Sequence, residues 1–505
     1  MHTLPSGTGK DDLRLCRLVT KRPSPGLHKV RFIAYLVLGV TLLQPIQSCT
    51  LYAQANAVQR KKVLAVGVDY NSQVGVGYSG GYLYNEPKIR GLIQTAKETG
   101  FDEIYWRVSV IGQVTYRSKV LTVMDGAGVP YPEASPIGII LKQCDPLAVA
   151  IDETHKQGMK LFVYVTLFDF AYPGFENEFF ENHPEYWSRL AGVLADNVTT
   201  PLPGHRQAKE FSGTVTTGGY SNSLVEGQRE GTAPYVRGVP SLGYPKVRQY
   251  LLAQVKELIE YKPDGIYFDV ARSHAGIYPV LSYGWYPQWT SPYLKYGYNE
   301  PEIELYKKRY GKNPPLRNAI SLQSLEETKD EKNWNAVRGH FVTLFIREAA
   351  RLLHEADMEV AVGFYPKSNN GFQPGTYTRQ QLGRIDVQWK TWCDEGYVDA
   401  IRLITDHRKH GHDDWEAASE KVYNYAQDKG VRVYVGCSLG SSWDKLKRPP
   451  APLPITKAKQ PNLYFQILSD VTRNILNSSA DGVFYYEAGN QGQPTWSAIR
   501  RASGR

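Results

Sequence analysis

Five carboxylates stand at, or just beyond, the ends of short β-branched and aromatic runs: Asp69, Asp169, Asp269, Asp406 and Glu487. Side chains alternate along a strand, so the last inward-facing residue of a strand can be presented rigidly to a cleft at the strand's end. Carboxylates held this way suit glycoside hydrolysis. That chemistry needs two carboxyls across a sugar ring, about 5–5.5 Å apart in a retaining enzyme and about 6.5–9.5 Å apart in an inverting one. Asp269 is the leading candidate: it ends the run Asp264-Gly265-Ile266-Tyr267-Phe268, shares a face with Tyr267, and is followed by Arg272. Glu487 ends the run 481–487, where it is expected to share a face with Tyr485. Asp69, Asp169 and Asp406 also have a plainer reading, as caps of the next helix or partners of an arginine. Arg107 is a charge inside a strand, aligned with Tyr105. It would hold a carboxylate or a sugar hydroxyl, or form an inner salt bridge below the site.

Two further clusters carry chemistry. His407, His410, His412, Asp413 and Asp414 have the residue types of a metal site, against which stands a solvated loop whose Asp413 or Asp414 caps the helix starting at Trp415. Tyr278, Tyr283, Trp285, Tyr286, Trp289, Tyr293, Tyr296 and Tyr298 could stack on sugar faces or form a small core under a long loop. The sequence lacks GxGxxG after its first strand, and lacks GxxxxGK[ST], GxSxG and HExxH. Nucleotide, phosphate-loop and serine-hydrolase chemistry thereby lose their usual support.

The elements that must position these residues alternate. Strands are predicted at 63–69, 103–110, 160–168, 264–269, 359–365, 399–405, 431–437 and 481–487, and helices at about 86–99, 145–157, 245–261, 334–356, 380–395, 415–429 and 462–478. Alternating βα units give a parallel sheet, and eight of them predict a (β/α)8 TIM barrel, α/β in class, over an open doubly wound sheet. The domain is expected at 60–495, with 496–505 as a C-terminal tail. A barrel of this kind needs about 250 residues. The excess is expected in long insertions after strands 3 and 4, at 170–244 and 273–333, on the C-terminal face where barrel active sites lie. No internal repeat stands out.

Composition narrows the class. The chain is 42% hydrophobic and 22% charged, which excludes a disordered or collagen-like chain. Of the formal charge of +9, +5 falls within residues 1–55, leaving +4 elsewhere, which is no nucleic-acid footprint. Residues 1–55 have the form of a basic n-region and signal peptide: Phe32–Leu43 is a 12-residue apolar run after Lys29-Val30-Arg31, followed by the A-x-A site Ala53-Gln54-Ala55. Lipidation at Cys49 is the alternative to cleavage after Ala55. No later segment reads as a membrane span, so an exported protein is expected, periplasmic or extracellular. Export would leave three cysteines, Cys144, Cys393 and Cys437, an odd number that argues against a full disulfide set.

Several segments resemble glycosyl-hydrolase-like family 10, bacterial (β/α)8 proteins grouped as exported glycosidases. These are Cys144–Gly158 (CDPLAVAIDETHKQG), Pro245–Asp269 (PKVRQYLLAQVKELIEYKPDGIYFD), Tyr306–Gly311, Trp392 with Gly396–Asp399, and Tyr116 with Ser118. They lie in the family's order over about residues 63–487. The chain also departs from the pattern: Tyr267 stands where the family usually has His, and Val270 where it often has a second acid. Phe162-Val163-Tyr164 and Arg402–Thr405 replace its third- and sixth-strand motifs. The resemblance implies a barrel with a carbohydrate ligand, possible peptidoglycan glycan strands among the substrates, Asp269 in the chemistry and Glu487 as a looser match.

The combined expectation is a glycoside hydrolase with Asp269 as nucleophile or stabiliser and Glu487 or Asp406 as general acid/base. Tyr267, Arg107, Arg272, Asp69, Tyr164, Trp285 and Trp289 would line the substrate site. No cofactor or metal is implied. A non-catalytic carbohydrate-binding barrel and a metal-dependent hydrolase built on the histidine cluster are the competing readings.

Overall fold

A computed structural model of the chain describes residues 61–70, 84–110, 112–124, 134–170, 177–189, 235–270, 297–315, 328–364, 386–404, 415–439, 442–443, 455–456, 460–488 and 491–505. Eight parallel strands pair in chain order: β1 (Val63–Asp69), β2 (Glu103–Arg107), β3 (Lys160–Thr166), β4 (Gly265–Asp269), β5 (Glu359–Phe364), β6 (Ala400–Leu403), β7 (Arg432–Ser438) and β8 (Gly482–Tyr486). Val63–Gly67 of β1 pairs in register with Gly482–Tyr486 of β8, so the sheet closes into a (β/α)8 barrel and the open-sheet alternative is excluded. After the successive strands come α1 (Glu86–Thr99), α2 (Pro146–Lys156), α3 (Pro245–Glu260), α4 (Lys329–His354), α5 (Trp389–Asp394), α6 (Trp415–Ala426), α7 (Pro461–Asn477) and α8 (Gln493–Ser503).

Helix α8 takes in most of the segment expected as a tail. It buries Trp496, Ala498 and Ile499, and beyond it Arg505 donates to Asp102 Oδ2 at 2.5 Å. Residues 1–60, including the signal-peptide segment and Cys49, lie outside the described residues. The described chain belongs to one unit, Lys61–Arg505, and no helix among the described residues is long and apolar enough to cross a membrane. Cys144, Cys393 and Cys437 are all free thiols.

The strands are apolar on both faces because both faces are covered. Outward residues such as Leu64, Val66, Ile104, Val163, Phe268, Val362 and Val435 pack with the helices in one large core. The inward set, Ala65, Tyr105, Phe162, Tyr164, Tyr267, Ala361, Ala400, Tyr434 and Phe484, forms a separate core within the barrel. Tyr105 stacks on Phe162 with ring centroids 4.7 Å apart and meets Phe484 and Tyr267 edge-on. Large rings fit because small residues face them. A Cβ on Gly363 would lie 1.7 Å from the Tyr267 hydroxyl, and one on Gly265 would lie 2.7 Å from the Phe162 ring.

The N-terminal end of the barrel is sealed by charge. Buried Glu103 accepts from Arg432 Nη1 at 3.0 Å, from Tyr105 at 3.0 Å and from Tyr434 at 3.1 Å, and Arg432 also bonds Glu359. Burial pushes the Glu103 carboxyl above its ordinary range, while Arg432 opposes that shift.

A repeat does exist at this end. The residue immediately before each even strand is an aspartate that accepts a backbone N–H from the preceding odd strand. Asp102 takes Leu64 N at 3.0 Å, Asp264 takes Leu161 N at 2.8 Å, Asp399 takes Val360 N at 2.7 Å and Asp481 takes Val433 N at 2.8 Å. Each aspartate ties neighbouring strands together in a fixed register. Single residues 162, 135 and 82 positions apart leave no sequence period, which is why the repeat is not visible before folding.

Most of the family-like segments turn out to be scaffold. Asp145 caps α2 by accepting from Leu147 N and Ala148 N, with Pro146 in the helix's first turn. His155 bonds Asp264 at 2.9 Å. Tyr116 and Ser118 both donate to Glu257 of α3, at 2.8 and 2.6 Å. Trp392 Nε1 donates to Thr343 at 2.9 Å.

Candidate active site

The C-terminal ends of β1, β2 and β4 each deliver one charged inward side chain: Asp69, Arg107 and Asp269. Parity decides this. Ala65 and Tyr105 lie in the inner core and Tyr267 lies in it too, so the residues two or four further on face the same way.

Arg107 forms a buried triad. Its Nη1 donates to Asp69 Oδ2 at 2.7 Å, its Nη2 to Asp169 Oδ2 at 2.8 Å and its Nε to the Ser109 carbonyl at 3.0 Å. All three side chains are buried. Asp169 is fixed in turn by its backbone, whose carbonyl accepts the Gly112 N–H at 2.8 Å. Gly112 has φ +84° and packs so closely on the Phe170 carbonyl that a Cβ would lie 2.2 Å from its oxygen. Tyr486 adds a hydroxyl donor to Asp69 Oδ2 at 2.7 Å. Of the two roles open to Arg107, the inner salt bridge is the one observed. The pairing of Asp69 and Asp169 with an arginine likewise matches their plainer reading.

Asp269 belongs to a different set. The Tyr164 hydroxyl donates to its Oδ2 at 2.6 Å, and the Tyr164 ring meets Tyr267 edge-on with centroids 4.8 Å apart. The expected Asp269, Tyr267 and Tyr164 are thus brought together. Burial holds the Tyr267 hydroxyl well above the usual tyrosine range, so it stays a neutral phenol.

Arg402, on β6, was not among the expected site residues. Its Nη1 donates to the Tyr267 hydroxyl at 3.0 Å, and its guanidinium lies 3.8 Å from the Phe484 ring centroid. It is only 6% exposed, and its Nε is buried with no hydrogen-bond partner among the described residues. Among the described residues no carboxylate pairs with it at ion-pair distance. Burial works against its charge, and the Asp269 carboxylate, acting through space, favours it. The signal that marks Arg107, a charge inside an apolar strand, was equally present in Ala400-Ile401-Arg402-Leu403.

On β8 the inward face differs from the expected one. Phe484 lies in the inner core with Tyr486 packed on it, whereas Tyr485 faces the helices and bonds Thr472 of α7 at 2.9 Å. The expected shared face of Tyr485 and Glu487 therefore does not point into the barrel at Tyr485. Glu487 follows the strand, half-buried, with its carbonyl accepting from Gln491 at 2.8 Å.

Asp406, Arg272, Trp285, Trp289 and the cluster His407, His410, His412, Asp413 and Asp414 lie outside the described residues, as does most of the aromatic loop. Tyr298 is described and packs on Trp334 with centroids 4.9 Å apart, so that one ring serves a local core. Among the described residues no group of three or more His, Cys, Asp or Glu is disposed to hold a metal.

Chemically, the inward end of the barrel offers, among the described residues, one carboxylate oriented by a phenol, one arginine closed by two carboxylates, and one arginine bonded only to a neutral hydroxyl.

No family model matches the chain, and no curated protein matches its sequence. Solved structures do align with it. The PgaB (BpsB) glycoside hydrolase domain of Bordetella bronchiseptica is similar at 12% identity over 88% of this chain and 98% of that one, with a TM-score of 0.45. Trehalose-6-phosphate hydrolase of Bacillus licheniformis aligns at 12% identity over 85% of this chain and 65% of that one, TM-score 0.42. A chitinase of Chromobacterium violaceum aligns at 10% identity over 88% and 99%, TM-score 0.36. The strand pairing itself establishes the barrel.

Proposed function

We propose that the chain is a glycoside hydrolase acting on a poly- or oligosaccharide, with Asp269 as nucleophile or transition-state stabiliser. The observation that carries this is the placing of Asp269: inward at the C-terminal end of a barrel strand, 2% exposed, and oriented by a 2.6 Å bond from Tyr164. A carboxylate fixed by a phenol in a barrel mouth is preorganised to meet positive charge developing at an anomeric carbon. Glu487 or Asp406 would be the general acid/base. The signal-like N-terminal segment supports an exported protein, cut after Ala55.

The test uses protein beginning at Asn56 beside Asp269→Asn, incubated with bacterial and plant glycans and assayed for new reducing ends and for binding. Reducing ends from the wild type alone support the assignment. Equal release from both proteins overturns the role of Asp269. Amino-terminal sequencing of secreted protein tests export and the cut site.

One observation favours a second reading, a non-catalytic carbohydrate-binding barrel. Two of the other strand-end carboxylates, Asp69 and Asp169, are both engaged by Arg107. Binding without reducing ends from either protein would support it.

A further inference from the structure

We infer that Arg402 is a subsite for a carboxylate carried on the sugar, so that the ligand of this barrel is an acidic glycan. This rests on the carbohydrate reading above and goes beyond it by naming the charge of the substrate.

A buried guanidinium cannot shed its proton, so its charge must be met by an acceptor or left at a cost. Within the same barrel Arg107 shows how such a charge is met, by two carboxylates and a carbonyl. Arg402 is nearly as buried, yet among the described residues it has one neutral hydroxyl, the face of Phe484 and an Nε with no partner. The Tyr267 bond and the Phe484 ring fix the plane of the guanidinium and leave donors over. A planar, prepositioned fork with spare donors matches a carboxylate, which can accept two parallel N–H bonds.

The register relates this fork to the proposed reaction centre. Asp269 on β4 pairs with Gly363 on β5, which pairs with Arg402 on β6. Asp269 and Arg402 are therefore two strand spacings apart, about 9.5 Å between backbones, with both side chains inward. The strand between them contributes no side chain, and the Tyr267 hydroxyl occupies the place where one would begin. A sugar ring lying on the mouth side of the Tyr267 hydroxyl would set a ring carboxylate toward Arg402 and its anomeric carbon toward Asp269. Two kinds of acidic sugar share this chemistry: a hexuronic acid, and a sugar carrying a lactyl-ether carboxylate as in the glycan strands of peptidoglycan.

The experiment measures calorimetric binding of the full mature chain, wild type, Arg402→Met and Arg402→Lys, to oligogalacturonate and to peptide-free peptidoglycan glycan strands. Each glycan is paired with its carboxyl-reduced, neutral twin, and thermal unfolding checks that each variant is folded. The wild type is expected to bind one acid glycan about 10- to 100-fold more tightly than its neutral twin. Arg402→Met is expected to abolish that preference and Arg402→Lys to keep part of it. Which acid glycan binds names the source of the carboxylate.

Equal affinity for acid and neutral twins overturns the inference, as does failure to bind either acid glycan, or an acid preference that survives in Arg402→Met. If Arg402→Met does not fold, the wild-type preference and its reduction in Arg402→Lys decide. Reducing-end release is followed in parallel. An Arg402-dependent acid preference without release upholds the subsite and removes the hydrolase reading, whereas release from neutral glycans without acid preference does the reverse.

Discussion

Arg107 and Arg402 are the same residue type in equivalent places, inward near the C-terminal ends of β2 and β6, and both are almost fully buried, at 2% and 6% exposure. Their surroundings are opposite. Arg107 is enclosed by Asp69, Asp169 and the Ser109 carbonyl, and its Asp69 partner is held again by Tyr486. Arg402 faces a phenol and aromatic rings. The Arg107 side is closed by its own charges and serves as the wall of the cup. The Arg402 side keeps a fixed cation whose hydrogen-bonding capacity is not used up, next to the carboxylate proposed to do the chemistry. Burial of a charge therefore does not mark a site by itself; the set of acceptors around it does.

The largest effect expected from this contrast is on stability. Arg107→Met leaves Asp69 and Asp169 buried together with their shared cation removed, and should cost about 3–5 kcal/mol. Urea unfolding at neutral pH measures it. A cost below about 1 kcal/mol would show that the triad is not holding the wall, and the division between the two arginines would collapse.

How much of this was legible in sequence follows the same division. The eight strands were readable because apolar runs of β-branched and aromatic residues alternate with helical periods. Asp269, Tyr267 and Arg107 were readable because parity along a strand is strict within a regular run. Parity misled at β8, where Val483, Phe484, Tyr485 and Tyr486 offer no polar-apolar alternation to say which side faces the barrel. Arg402 stands in a segment that departs from the family's sixth-strand motif, and that departure masks the plainer signal of a charge in an apolar strand. The aspartate repeat needed the fold, since its members touch neighbours about 40 to 100 residues away in the chain. Conversely, His155, Tyr116 and Ser118 drew notice as motif residues, and their partners show that they fasten helices and loops.

Glu302 sharpens the contrast from the acidic side. It is buried in the helix Glu300–Tyr310, where Ser241 Oγ donates to its Oε1 at 2.5 Å. Burial pushes its carboxyl from 4.5 to about 7, with the Ser241 bond and the more distant Arg338 acting against the shift. A buried glutamate can escape its desolvation by taking a proton, which Arg402 cannot do by losing one. The folded chain thus binds a proton that the unfolded chain has already lost. The contribution is full below pH about 4.5 and is lost as pH rises through about 7; its size is about 3 kcal/mol. Unfolding free energies of wild type and Glu302→Gln at pH 5 and pH 8 measure it. The wild type should lose stability relative to the variant on going to pH 8, and parallel pH profiles would show that Glu302 is already paired.

A smaller effect is expected at Gly363. A Cβ there would meet the Tyr267 hydroxyl at 1.7 Å, so Gly363→Ala must push the ring away and with it the Arg402–Tyr267 hydrogen bond. Overpacking of this kind costs about 1–3 kcal/mol. Any glycan binding should weaken in the same variant, because the guanidinium loses the contact that orients it. If thermal unfolding and glycan affinity both match the wild type, Tyr267 is not what holds Arg402 in place.

The smallest stability effect is expected at Arg402 itself, and it bears most directly on the comparison. Arg402→Met replaces a buried cation with a shorter, flexible apolar chain that can lie on Phe484. The change gives up a hydrogen bond to a neutral phenol and the cation–π contact with Phe484, and it removes the desolvation cost of a charge with no ion-pair partner among the described residues. These terms oppose one another, so the net change should fall within about 1 kcal/mol, in either direction. Arg107→Met and Arg402→Met, unfolded side by side in urea, should therefore differ by several-fold in their cost although both remove a buried arginine from the same barrel. A large loss at Arg402 would mean that its charge is already answered within the folded chain and that no ligand carboxylate is needed to answer it. A near-neutral substitution that abolishes preference for acidic glycans would show a cation kept for what it binds rather than for what it stabilises.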